Sequence, residues 1–373
     1  MRFLKPNFCK SVLFFNPDYH CSFFLRDELR KRGWRAEISV SSSYPDQLLW
    51  SNDVKRNSNI SSRIQFIRRW ASIARYRYVV HYGAIGSGLG KRSKVIDFGI
   101  VLWVNFLRLF GLHLVYLPSG CNDYMTKADW MKVDSGNVCG SCGFEPRCDD
   151  KKNQANFTLV RKVASTSLMG DGHRTTEFPE SRIRYKSFDL EVFSPSMQIP
   201  NNHLWLKSSS IRVLHSTALE GRSVVSRNIK GSEFVVSAVE SLARSGLDVE
   251  LIQISGVTSR EMRFHQVQAD IVVDQLIYGG YGSTALECLA LGKPVVCYIR
   301  ESWKQFLTSH FPEWDWCPII SATPLTVEAE LRKLVENDEL RTQIGIESRR
   351  FAEQFLDVKK NVLEFEHLLL NLK

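Results

Sequence analysis

"GGYGSTALECLALGKPVV" (residues 279–296) sets three glycines and Tyr281 ahead of a helix start, one acidic residue and an apolar strand. Gly279, Gly280 and Gly282 let backbone N–H groups come close to a ligand. Glu287 follows, on a helical run that is otherwise apolar and closes at Gly292 before "KPVVCYI". Two accounts of this glutamate compete. Thr284 and Glu287 have the three-residue separation of a capping box, which satisfies the free N–H groups of its own helix. A carboxylate just behind a glycine loop can equally accept from a ribose hydroxyl. The residues alone leave both open.

Working outward, "SIRVLHST", "GSEFVVSAVESLARSG", "LDVELIQIS", "TSREMRFHQVQ" and "ADIVVDQL" alternate strand and helix up to the loop. The first half alternates in the same way: "SVLFF", a helix closed by Gly33, "RAEISV", a basic amphipathic helix, "RYVVHYG", a helix, then "LHLVYLPSG". Such alternation calls for parallel sheets, and 373 residues suit two domains. The expected fold is α/β, two Rossmann-like domains facing across a cleft. The first would span residues 1–197 and the second 198–355, with a prolyl and seryl hinge between them. Residues 356–373 would form a helix packing back on the first domain.

Charge is unevenly spread. Residues 1–100 hold 18 Lys/Arg against 7 Asp/Glu, a balance that exceeds the net +9 of the whole chain, so the remainder is slightly acidic. This asymmetry suggests an anionic partner for this half (a membrane surface, a phosphorylated substrate or nucleic acid), the alternative being a solvated basic face with no partner. No nucleic-acid recognition motif accompanies it. The most apolar segment, residues 99–118, is interrupted by Asn105, Arg108, Gly111 and His113, against a spanning helix. The opening residues fit a first strand better than an export signal. A cytoplasmic protein, peripheral on the cytoplasmic face of a membrane, is expected.

Of nine cysteines, Cys121, Cys139, Cys142 and Cys148 fall within 28 residues. The C-x2-C pair has the pitch at which two thiolates share a zinc ion, and two more cysteines complete a tetrahedral set. A structural zinc knot is one reading; a redox pair or free thiols is the other. In the second half, "RNIKGSEFVV" puts Arg227 and Lys230 beside a helix start, where a phosphate would meet free N–H groups and fixed positive charge. Neither a complete dinucleotide fingerprint nor a P-loop is present.

Together, "NIKGSEFVVSAVESL" and "ADIVVDQLIYGGYGSTALECLALGKPVV" resemble the nucleotide-sugar domain of GT-B glycosyltransferases, specifically the retaining family 4. The likeness covers residues 211 to about 355 and extends more weakly through "RIRYKSFDLEVFSP". It implies transfer of a hexosyl group from a nucleoside diphosphate sugar to a glycan or lipid-linked saccharide, with anomeric retention and no cofactor. By the same likeness, Arg227 and Lys230 would hold the donor diphosphate, loop residues Gly280, Tyr281 and Gly282 the sugar and phosphate, and Glu287 the ribose. His81 would lie near the transferred sugar, and Asp123 would orient the acceptor hydroxyl. One departure stands out: Gly279 occupies the position of the family's first glutamate, so its sugar contact is absent or falls to another residue such as Asp274. A nucleotide-sugar binder without activity, or an epimerase on the same plan, is the alternative.

Overall fold

The computed structural model describes residues 8–17, 20–40, 46–56, 62–83, 85, 94–118, 126–131, 138–142, 148–168, 180–181, 186–217 and 228–372. In chain order it begins with β1 (Ser11–Phe15), α1 (Cys21–Lys31), β2 (Arg35–Val40), β3 (Lys55–Arg56), α2 (Ser62–Ser72) and β4 (Tyr78–Tyr82). Next come α3 (Lys94–Arg108), β5 (His113–Leu117), α4 (Lys127–Trp130), α5 (Val138–Cys142), α6 (Asp150–Val163), β6 (Thr166–Leu168) and β7 (Glu180–Ser181). The second half supplies β8 (Ile211–Thr217), α7 (Ser232–Arg244), β9 (Val249–Ser255), α8 (Ser259–Gln266), β10 (Ile271–Val273), α9 (Ser283–Ala290) and β11 (Val295–Val296). It closes with α10 (Glu301–His310), α11 (Val327–Glu336), α12 (Asp338–Phe355) and α13 (Val358–Asn371).

These elements gather into two compact units. One comprises Met1–Thr126, Asp149–Ser187 and Val358–Lys373; the other comprises Lys127–Cys148 and Phe188–Asp357. The chain therefore crosses at Ser187 and Phe188 rather than at 197, and most of the cysteine-bearing segment belongs to the second unit rather than the first. Packing explains both. Phe188 is fully buried against Phe193, and its N–H donates to the Leu356 carbonyl at 2.7 Å. Trp130 of α4 is buried 5.3 Å from the Tyr278 ring, with the Arg300 guanidinium 5.3 Å over its own ring. The Asn228 N–H donates to the Cys142 carbonyl at 2.7 Å.

The first unit holds a parallel sheet in the order β3-β2-β1-β4-β5-β6-β7. Every residue of β1 and β5 is buried, which suits continuous apolar runs covered on both faces. One core joins Leu13, Val79 and Leu114 of the sheet to Ile100, Val104 and Leu107 of α3 and to Val160 of α6. Phe365 of α13 stacks on Phe14 of β1 at 6.0 Å. Beside it Glu366 accepts from Trp34 Nε1 at 2.8 Å, Lys10 Nζ at 3.2 Å and Arg32 Nε at 2.5 Å.

In the second unit the order is β11-β10-β8-β9, again parallel. The row Val235, Ala238, Val239 and Leu242 of α7 recurs at helical spacing and packs with Leu331 and Leu334 of α11. In each sheet the strand order reverses beside one strand, between β1 and β4 and between β8 and β10. Open parallel sheets bind ligands outside the carboxyl ends of their strands at such switch points.

Candidate functional site

At the switch point of the second unit, Lys230, just ahead of α7, meets Asp274, the residue that follows β10. Lys230 Nζ donates to Asp274 Oδ1 at 2.5 Å, and the Gly282 N–H donates to Asp274 Oδ2 at 2.8 Å. Both side chains are buried, Asp274 completely. Burial alone would raise the Asp274 carboxyl, but the Lys230 ammonium and the Gly282 N–H hold it below its ordinary value. The glycine at 282 is required by this contact, since an added Cβ would stand 2.7 Å from Asp274 Oδ2. Asp274 thus positions a lysine and the glycine loop, and both its oxygens are committed there. It is not the exposed sugar contact that could replace the missing glutamate.

His215 backs this pair. Burial, then the Lys230 charge, push its imidazole down to about 4, so the ring is neutral. Its Nδ1 lies 2.9 Å from the Val273 carbonyl, which can only accept, so Nδ1 carries the proton and Nε2 accepts from Ser232 Oγ at 2.8 Å. Backbone N–H groups of Leu276 and Ile277 donate to the carbonyls of Lys230 and Ile229, at 3.2 and 3.3 Å, tying the two loops together. Among the amides at the α7 start, that of Gly231 already donates to Asn228 Oδ1 at 3.2 Å.

In the glycine loop, the Gly280 carbonyl accepts from Gln275 Nε2, and the Tyr281 ring stacks on Trp314 at 4.8 Å and 7°. Gly279 has φ +78°, and Arg300 Cβ, Cγ and Cδ lie 3.1 to 3.2 Å from where its Cβ would be. Those Arg300 atoms cannot swing away freely, because Nη1 donates to the Tyr278 carbonyl at 3.1 Å and the guanidinium lies over Trp130. The departure at 279 is therefore built into the packing. Gly279→Glu is expected to destabilise the protein by about 1–2 kcal/mol from left-handed backbone strain alone, without improving donor binding. Thermal unfolding checks this, and an unchanged melting temperature would contradict it.

Glu287 does not cap its helix. The N-cap of α9 is Gly282, without a side-chain cap, so Thr284 sits inside the first turn. The capping box of this region lies elsewhere, where Thr258 and Glu261 close α8 reciprocally. Glu287 is buried instead beside α8, with its Oε2 accepting from Gln266 Nε2 at 2.5 Å. It stands five residues beyond Gly282, roughly 7.5 Å along the helix axis.

In the first unit, His81 lies near the carboxyl end of β4, next to β1. It is buried, its ring 5.1 Å from Phe15 and 6.0 Å from Trp70. Burial, then the Arg69 charge, push the imidazole down to about 3, so it is a neutral group rather than a proton acceptor near neutral pH. Arg69 lies over the Phe15 ring at 3.8 Å and donates to Asn16 Oδ1 at 2.9 Å. Arg227, Asp123 and Cys121 lie outside the described residues. Cys139, Cys142 and Cys148 are partly exposed. Among the described residues no three His, Cys, Asp or Glu side chains converge as a metal-holding group.

Lys230, Gly282, Gly280 and Glu287 are thus placed on adjoining elements, and Asp274 joins them. Sequence reasoning missed Arg300, Trp130, His215 and Gln266. Two carried a signal: His215 is polar inside the strand "RVLHST", and Arg300 follows a strand end just before a helix.

No family model and no curated protein matches the chain. Solved structures do. A sucrose-phosphate synthase from Thermosynechococcus elongatus aligns over 96% of this chain and 98% of its own, with TM-score 0.60 and 11% identity. WaaG, a glycosyltransferase involved in lipopolysaccharide biosynthesis, aligns over 97% and 100% with TM-score 0.53 and 13% identity. A UDP-GlcNAc 2-epimerase from Neisseria meningitidis aligns over 96% and 99%, with TM-score 0.53 and 12% identity. The fold is GT-B, two Rossmann-like α/β domains. Transferases and an epimerase share it, so the likeness does not single out family 4.

Proposed function

We propose that the chain transfers a hexosyl group from a nucleoside diphosphate sugar to a glycan or lipid-linked saccharide, retaining the anomeric configuration, as family 4 enzymes do. The observation that carries this is the buried Lys230–Asp274–Gly282 cradle at the switch point of a GT-B donor domain. Departure of the diphosphate develops negative charge, and preorganised cations and helix N-termini stabilise such charge with little reorganisation. Lys230, fixed by Asp274, and Arg227 supply it, and transfer is expected to persist in chelator. Glu287 accepts from a ribose hydroxyl, and Gly280, Tyr281 and Gly282 adjoin the sugar and phosphates. His81 faces the transferred sugar as a neutral partner, and Asp123 orients the acceptor hydroxyl. Zinc on Cys121, Cys139, Cys142 and Cys148 would only brace a segment, outside the reaction. The protein would act in the cytoplasm, peripheral to the membrane.

An epimerase is the second candidate, because one shares the fold and Gly279 removes a carboxylate the transferases use. A donor panel incubated with and without an oligosaccharide and lipid-linked acceptor pool separates the two. Acceptor-dependent release of nucleoside diphosphate, with product configuration read by NMR, is the expected outcome. Interconversion of a nucleotide sugar alone would indicate epimerisation, and binding without turnover would indicate an inactive member.

A further inference from the structure

Helix α3 is apolar on two opposite sides. Ile100, Val104 and Leu107 are at most 5% exposed in the core. Val95 (80%), Phe98 (64%), Leu102 (54%), Phe106 (50%) and, one residue past the helix, Leu109 (82%) are open to solvent. Their three- and four-residue spacing places them in one outward row, where a soluble surface helix would be polar. The row is extended by aromatic contacts, with Phe106 5.9 Å from Trp103 and 5.1 Å from Phe110, itself 47% exposed. The neighbouring α2, joined by Trp103 Nε1 donating to the Trp70 carbonyl at 2.8 Å, also exposes Ile64 (47%) and Ile67 (66%).

Charge identifies the occupant. Residues 54–122 contain eleven Lys/Arg and one acid, Asp97, and Arg68, Arg75 and Lys94 are exposed. A second copy seated here would set these like charges against each other, which association disfavours. An anionic lipid surface covers the apolar row and neutralises the basic residues together, the combination that interfacial helices use. No helix among the described residues is long and apolar enough to cross a membrane. We propose that the first unit docks on anionic lipid by laying the outward row of α3 into the boundary between headgroups and acyl chains, with Arg68, Arg75 and Lys94 meeting lipid phosphates.

Flotation of the full-length protein with phosphatidylcholine vesicles, with and without phosphatidylglycerol, tests this. Strong partition to the anionic vesicles is expected, reduced but not abolished by high salt. The Phe98→Ser/Phe106→Ser variant should partition at least ten-fold less while staying folded, its thermal unfolding lowered only by the ring contacts of Phe106 with Trp103 and Phe110. Arg68→Gln/Arg75→Gln/Lys94→Gln should lose the preference for anionic over neutral vesicles. Absence of wild-type binding, or equal binding by the Phe variant, overturns the proposal. So does a wild-type dimer in light scattering that the Phe variant turns into a monomer without any vesicle effect. Nucleoside diphosphate binding by the Phe variant should match wild type, so the docking surface and the sugar-transfer assignment stand or fall separately.

Discussion

Lys230→Ala is expected to abolish measurable nucleoside diphosphate binding and also to lower stability markedly. The sequence shows only a cation beside a helix start. The structure places it against a completely buried carboxylate, 2.5 Å away. Removing one partner of a buried pair leaves the other charge uncompensated, at about 3–5 kcal/mol. Asp274→Asn separates the two losses, because it keeps the ammonium for a phosphate while weakening its placement. Donor affinity should then fall less than in Lys230→Ala. The pair also sets an acid limit. Asp274 has a folded value below its ordinary 3.8, so its stabilisation is complete above that value and is lost as pH falls towards the folded value. The wild type should lose stability on that descent more steeply than Asp274→Asn. Calorimetry of the three proteins with a panel of nucleoside diphosphates decides the matter; full diphosphate affinity in Lys230→Ala would remove the lysine from the site.

The sheets were legible because their strands are locally self-consistent. "SVLFF" and "LHLVYL" are apolar without interruption and are buried on both faces, and α7 carries its inward row at helical spacing. Strands expected at 269–276 and 293–299 are shorter in the structure, Ile271–Val273 and Val295–Val296. Asp274 marks the limit of the first, where the chain leaves the ladder to hold Lys230 and Gly282. Helix α6 escaped notice because its buried side includes Asn153 and Asn156, which break the apolar period. The place of Trp130 could not be read locally at all. Its partners, Tyr278 and Arg300, are 148 and 170 residues further along the chain. At the site, the same S/T-x-x-E spacing occurs at Thr258–Glu261 and at Thr284–Glu287, and only the first is a capping box. What separates them is the N-cap: α8 begins after Thr258, whereas α9 begins after Gly282, whose N–H is held by Asp274.

Glu287→Gln is therefore expected to act on chemistry and not on the helix. With Gly282 as N-cap, the glutamate is too far along α9 to serve the free N–H groups of the first turn. Glutamine matches its size, and its carbonyl oxygen can still accept from Gln266 Nε2, the contact now made at 2.5 Å. Packing at this 8% exposed position is nearly conserved. What disappears is the negative charge, on which the proposed charge-assisted contact with a ribose hydroxyl depends. If ribose placement sets the angle at the scissile bond, the loss appears in turnover as well as in donor affinity. Transfer should drop ten-fold or more, on the order of 1.4 kcal/mol at least, while the melting temperature moves little. Gln266→Ala supplies the converse: it removes the neighbour that orients the carboxylate but leaves the charge, so donor affinity should suffer less than in Glu287→Gln. Steady-state kinetics and thermal unfolding on both variants read the two effects independently. Wild-type transfer with lowered stability in Glu287→Gln would return the glutamate to a packing role between α8 and α9, and the ribose contact would have to be sought on another residue.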